Sequence, residues 1–275
     1  MVDCECALQF VQANGTTPMP HLAAHAMGRL DPASAIARLS EFQNDDGGWT
    51  GLANLMAPIS TTSSAIMALH WLSMMGAADE SPFLDKTVDF LSSNQKAEGY
   101  WDEPEEIAQY SPKSWMLPGN CANQLWFTAA ICRYLLDLGR GDAVNFKAAL
   151  DFLRSGWDGE RFPAYPHTHW MALALLSRLP SANELDEEIA QGSEHFLLQV
   201  VSEDGLSAGE MSEIAYAAFV ARPRADALFE RALAKVQSGQ GEDGGWLVEG
   251  GDLEDRVIAT VQALYLLRNV RTVSQ

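Results

Sequence analysis

Gln43-Asn44-Asp45-Asp46-Gly47-Gly48-Trp49 and Gln240-Gly241-Glu242-Asp243-Gly244-Gly245-Trp246 are two copies of one seven-residue pattern, and Gln95-Lys96-Ala97-Glu98-Gly99-Tyr100-Trp101 is a looser third. Each copy closes one segment of helical apolar periodicity and precedes another, so the pattern sits in a turn between helices. Gly47-Gly48 and Gly244-Gly245 supply the positive φ values that a tight helix exit needs, and the tryptophan is placed to cover the exposed helix end. A pattern that recurs at this spacing marks a helical repeat protein.

Working outward, apolar periodicity broken by Pro, Gly and Asp divides the chain into alternating segments. Outer helices, which carry the charge, are expected over 3–13, 32–43, 82–95, 142–155, 184–200 and 223–238. Inner helices, rich in Ala, Leu, Met and aromatics on most faces, are expected over 20–29, 60–76, 121–138, 167–179, 210–221 and 253–269. A helix that is apolar nearly all round is a buried one. Six outer and six inner segments close naturally into an all-α, α6/α6 toroid, read here as a single domain over residues 1–275. An open solenoid is the rival, but it would want polar capping repeats. The longest connection, 99–120, is a candidate lid, and 156–166 is a second.

The bulk composition narrows the function classes. A chain of 275 residues with 47% hydrophobic content can bury a large core. A formal charge of -19 with 18 Lys and Arg sets the whole field against polyanions, so nucleic acid is not an expected partner. The same charge opposes adsorption on an anionic bilayer, while an apolar rim dipping transiently into one stays compatible. Met1-Val2-Asp3-Cys4-Glu5-Cys6 lacks a basic start and an apolar run, and no run reaches transmembrane length. A cytoplasmic setting is therefore expected. Cys4, Cys6, Cys121 and Cys132 form no C-x-x-C pair and read as reduced thiols.

The Gln-x-x-Asp-Gly-Gly-Trp string resembles the QW motif of the squalene-hopene and oxidosqualene cyclase family, the class II terpene cyclases. There such repeats staple the outer helices of an α/α barrel. Over roughly residues 20 to 270 the chain is similar to the family's β domain in its single-domain form. The resemblance implies proton-initiated cyclisation of a linear polyprenyl chain, such as a prenylated aromatic acid, through carbocations. It implies no cofactor, no metal and no obligate protein partner, the partner being a hydrophobic small molecule.

It also points to residues. An Asp-x-Asp-Asp-Thr-Ala segment opens one inner helix of the family, and its middle Asp protonates the substrate. Registered on apolar pattern, that segment falls on Asn120-Cys121-Ala122-Asn123-Gln124-Leu125-Trp126, with Asn123, or else Asn120, at the proton donor. The family's next inner helix supplies a His to this acid, which His167 or His169 would match. An Asn has no proton strong enough to give an alkene. Three explanations are open: the chain is an inactivated Asp→Asn form, another carboxyl acts, or the domain is not a cyclase. Glu254 and Asp255, in Asp252-Leu253-Glu254-Asp255, are the rival acids, although Asp252 and Asp255 also fit a helix N-cap and its reciprocal partner. Asp102-Glu103-Pro104-Glu105-Glu106 reads as a solvated loop, since Pro104 spoils the helical spacing a metal-binding carboxylate set would need.

Aromatics on inner segments supply π faces that stabilise a carbocation without attacking it. Trp71, Trp126, Phe127, Trp170, Tyr216, Phe219 and Tyr265 stand there, and Trp115 stands on the candidate lid. Singly each is core packing; together they suggest an aromatic-lined cavity. Arg256, at an inner-helix start, is a candidate for meeting a substrate head group. Two alternatives come from different classes. One is an enzyme similar to a zinc prenyltransferase β subunit, on Cys121, Trp126 and His167, although such a site needs a third ligand and an open position. The other is a non-catalytic isoprenoid-binding toroid, which Asn123 favours.

Overall fold

The computed structural model describes residues 2–52, 57–77, 82–180, 182–203, 206–248 and 250–273. Twelve α-helices follow one another among them: α1 Cys4–Asn14, α2 Met19–Ala26, α3 Pro32–Leu39, α4 Thr62–Met75, α5 Pro82–Asn94, α6 Cys121–Asp137, α7 Phe146–Ser155, α8 Pro166–Leu176, α9 Glu184–Ser202, α10 Ala208–Val220, α11 Asp226–Ser238 and α12 Leu253–Val273. Each matches one expected segment, in order. The fold is all-α, and β pairing among the described residues is limited to isolated bridges such as Gln43 with Trp49 and Gln240 with Trp246.

Where helix ends differ from expectation, caps explain them. α7 starts at Phe146 rather than 142 because the Asn145 side chain accepts from the Ala148 N–H, with a single 3₁₀ turn at Gly141–Ala143 ahead of it. α10 starts at Ala208 because Ser207 and Glu210 form a complete capping box.

The chain divides into two compact units, one built from its two ends, up to Arg38 and from Glu194, and one from Leu39–Ser193. In the first, α12 packs on α1, α2 and α10, so residues near the two termini share a core. In the second, α6 packs against α4, α7 and α8. α8 is buried at every position from Thr168 to Leu176, which is why its sequence is apolar all round.

The three Gln/Trp motifs do the same mechanical work in each place. Gln95 Nε2 donates to Gly99 O at 2.9 Å and to Asn145 O at 3.1 Å, while Asn145 N–H donates to Gln95 Oε1 at 2.8 Å. Gln43 Nε2 likewise reaches Gly47 O and Phe83 O, and Gln240 Nε2 reaches Gly244 O and Asp3 O. The glutamine thus ties its own loop to the first turn of the next outer helix. Gly47, Gly99 and Gly244 have φ of 85°, 100° and 89°. A Cβ at Gly99 would stand 2.3 Å from Ala148 O, and one at Gly244 2.4 Å from Cys6 O, so these glycines are fixed by close approach as well as by φ. Of each Gly-Gly pair only the first takes the positive φ. Trp101 and Trp246 donate Nε1–H to Leu91 O and Val236 O at 2.7 and 2.6 Å, satisfying carbonyls at the end of the preceding helix. Trp49 donates instead to Thr87 Oγ1 at 2.8 Å.

Candidate active site

Within the Leu39–Ser193 unit, α4, α6 and α8 run side by side in the same direction. Their starts are joined by Asp102 and by ring contacts, and their ends by a second polar set. At the end, His70 Nδ1 lies 2.9 Å from the Tyr134 hydroxyl, Ser73 Oγ donates to Asp137 Oδ2 at 3.0 Å, and Asp137 also pairs with Arg133 and Arg178. Burial pushes the His70 imidazole down to about 3, so the ring is neutral.

At the starts, Trp126 is the hub of an aromatic nest. Its ring centroid lies 6.4 Å from Trp115, 5.1 Å from Phe127, 6.5 Å from Tyr165 and 5.2 Å from His167. His167 lies 4.4 Å from Trp170. Helical spacing produces this: Trp126 is on the first turns of α6, and His167 and Trp170 are i and i+3 on α8. Trp115, Trp126, Tyr165 and His167 are half-buried, while Phe127 and Trp170 are fully buried behind them.

Asn120 and Asn123 have distinct places. Asn120 is the N-cap of α6, its Oδ1 accepting from the Ala122 N–H at 3.0 Å and its Nδ2 donating to the Tyr165 hydroxyl at 3.2 Å. Asn123 is fully buried, and its Nδ2 donates to the backbone carbonyl of Trp115.

His169 does not join the nest. It points to α9, with Nδ1 3.2 Å from Ser193 Oγ and its ring against Phe162 and Trp157. Burial pushes its imidazole down to about 4.

The other unit holds Glu254, Asp255, Arg256, Tyr216, Phe219 and Tyr265. Asp252 and Asp255 exchange backbone bonds, Asp255 N–H to Asp252 Oδ1 at 3.0 Å and Asp252 N–H to Asp255 Oδ2 at 3.1 Å, which is the helix-capping alternative. Glu254 is exposed. Arg256 Nη2 donates to both Asp243 oxygens at 2.8 Å, and its guanidinium stacks 4.8 Å over Phe10, so it staples a Gln/Trp motif. Phe219 packs on Phe229 of α11. The buried hydroxyl of Tyr265 lies 2.9 Å from His25 Nδ1, and Tyr216 is half-buried on α10. Within the Leu39–Ser193 unit itself, Trp71 is fully buried on α4, edge-on to His70.

One expectation is overturned. Asp102 and Glu103 are not a solvated loop: Glu103 is 3% exposed and accepts from the Thr62 and Ser63 N–H groups at 2.8 and 3.2 Å, holding the first turn of α4. Asp102 Oδ2 accepts from Gln124 Nε2 at 2.7 Å and from the Gly119 N–H at 2.8 Å. Burial, opposed by these N–H bonds, pushes the Glu103 carboxyl up to about 7. It lines an open cleft of about 730 Å³ shared with Asp45, Asp46, Asp89, Asp102 and Glu106. The signal in the sequence was positional, since acids follow the motif tryptophan Trp101 while Thr50 and Leu247 follow the other two. Among the described residues no three His, Cys, Asp or Glu gather as a metal site, and Cys121 is exposed at the start of α6.

The squalene-hopene cyclase C-terminal domain family model matches residues 21–136. The chain resembles the class II terpene cyclases in sequence and in fold. It is 26% identical over 160 residues to the squalene–hopene cyclase of Bradyrhizobium diazoefficiens, an alignment covering 56% of this chain and 23% of that protein. This chain therefore spans about a quarter of that relative's length. The type II terpene cyclase MstE from Scytonema, in its apo structure, superposes with a TM-score of 0.58 at 13% identity, covering 98% of this chain and 88% of MstE. That likeness carries the fold. The family match includes two of the Gln/Trp motifs on which the sequence resemblance rested, and it extends over α6 with Asn123.

Proposed function

We propose that the chain binds a linear polyprenyl molecule on the aromatic nest of α6 and α8 and cyclises it by class II chemistry. The observation that carries this reading is the nest itself. Trp126, His167 and Tyr165 are half-buried rings on two adjacent helix starts, in a chain that resembles the class II terpene cyclases. In such a reaction an acid adds a proton to a terminal alkene, the resulting cation is attacked by the next double bond to form a C–C bond, and loss of a proton or capture of water ends the sequence. The protein's part is to fold the chain, present π faces to the cation and keep water away.

Asn123 has no proton to give, so in a chain that cyclises as it stands the acid is another group. Glu103 is the candidate, a buried carboxyl at an inner-helix start whose pKa of about 7 leaves it partly protonated at neutral pH. Its conjugate base would be stabilised by the two N–H groups of α4. The same amide at Asn123 favours a second reading, a polyprenyl-binding protein without turnover.

The test is mass-spectrometric product analysis with polyprenols, squalene and prenylated aromatic acids, using the chain as it stands, Glu103→Gln and Asn123→Asp. Cyclised product lost in Glu103→Gln supports Glu103. Product only in Asn123→Asp supports an inactivated cyclase. Tight binding without product in all three supports the binding protein, and absence of binding rejects the polyprenyl reading altogether.

A further inference from the structure

Two buried polar atoms at the start of α6 have no partner among the described residues. Asn123 Oδ1 accepts no hydrogen bond, although Asn123 is fully buried and its Nδ2 is used by the Trp115 carbonyl. Trp126 Nε1–H, also buried, has no acceptor. Asn123 and Trp126 are i and i+3, which places them on one face of α6 with Cβ atoms about 5–6 Å apart. Both lie against Trp115, whose ring sits 6.4 Å from that of Trp126. A buried donor and a buried acceptor left unmade each carry a desolvation cost that a suitable ligand group would relieve.

We infer that Asn123 Oδ1 and Trp126 Nε1–H form a subsite for a neutral hydroxyl on the ligand. The hydroxyl donates its hydrogen to the amide oxygen and accepts from the indole N–H. The chemistry excludes the neighbouring possibilities. A carboxylate accepts but cannot donate to Oδ1, an ether does the same, and a hydrocarbon satisfies neither atom. Burial of both atoms also disfavours a charged group. The inference rests on the polyprenyl reading and deepens it, naming an alcohol as the ligand class recognised.

Trp115 lies against both atoms: its carbonyl accepts from Asn123 Nδ2, and its ring centroid is 6.4 Å from that of Trp126.

The experiment is isothermal titration calorimetry of the whole chain with three ligands that differ only at one end: farnesol, farnesyl methyl ether and farnesene. The expected order of affinity is alcohol, then ether, then hydrocarbon, each step about three- to tenfold, the size of one net hydrogen bond. Asn123→Leu should bring farnesol down to the ether and leave the ether-to-hydrocarbon step in place. Trp126→Phe should remove that second step. The wild-type series alone decides the matter if either variant does not fold. Equal binding of all three ligands, or an unchanged alcohol preference in Asn123→Leu, overturns the subsite and leaves the polyprenyl reading standing. Failure of all three to bind removes both.

Discussion

Gln240 and Asp3, 237 positions apart, exchange two hydrogen bonds: the Asp3 N–H donates to Gln240 Oε1 at 2.7 Å, and Gln240 Nε2 donates to Asp3 O at 2.8 Å. Asp3 is at the same time the N-cap of α1, accepting from the Glu5 and Cys6 N–H groups. One glutamine therefore fixes the first helix of the chain to the loop before its last. Gln240→Ala should destabilise the fold by about 1–2 kcal/mol, since it removes the hydrogen bonds that tie Asp3 and Gly244 together. Denaturant unfolding gives the magnitude, and hydrogen exchange should quicken first in Cys4–Asn14.

The two histidines of α8 should separate function from stability. His167→Ala removes a half-buried wall of the aromatic nest and should weaken polyprenyl binding by about tenfold with little change in melting temperature. His169→Ala empties a fully buried site beside Phe162 and Ser193 and should cost about 2 kcal/mol or more of stability. Binding titrations alongside thermal melts check both; the converse pattern would place the site on the α9 side.

Arg256 should prove to be a staple. Its pair with Asp243 is partly exposed, so Arg256→Ala should cost about 1 kcal/mol or less and leave polyprenyl affinity within about twofold. A large loss of affinity at unchanged stability would restore Arg256 as a head-group contact.

Acidity should act through buried imidazoles. His25, His70 and His169 have pKa values pushed down to about 4, 3 and 4 by burial. Below about pH 6.5 the unfolded chain takes up protons that the folded chain refuses, so stability falls as pH falls. Glu103 has the opposite sign. Raised from 4.5 to about 7, it is protonated in the folded state where the unfolded chain has ionised, and it removes stability as pH rises from 4.5 to 7. Three imidazoles outweigh one carboxyl below pH 6.5. Chemical denaturation across pH should show stability rising with pH up to about 7, and Glu103→Gln, by removing the opposing contribution, should make that rise steeper between pH 4.5 and 7.

The alternation of helices was fully legible in the sequence, because burial on every face leaves a local record: α8 must be apolar all round and α7 must not. The Gln/Trp motifs were legible for the same reason, each being a short contiguous string whose glycines answer a local φ requirement. The placement of Trp126, Trp170 and His167 on inner helices could also be read, from helical spacing. Only the tertiary structure decided what each polar side chain faces. Two histidines on one helix, His167 and His169, point to different neighbours because they stand about 200° apart around the axis. Asp255 and Arg256 spend their charges on a cap and a staple, and Glu103 leaves a loop that reads as solvated to close the start of a helix 40 residues before it. Periodicity records whether a position is buried; it does not record which partner, distant in the chain, satisfies the polar group placed there.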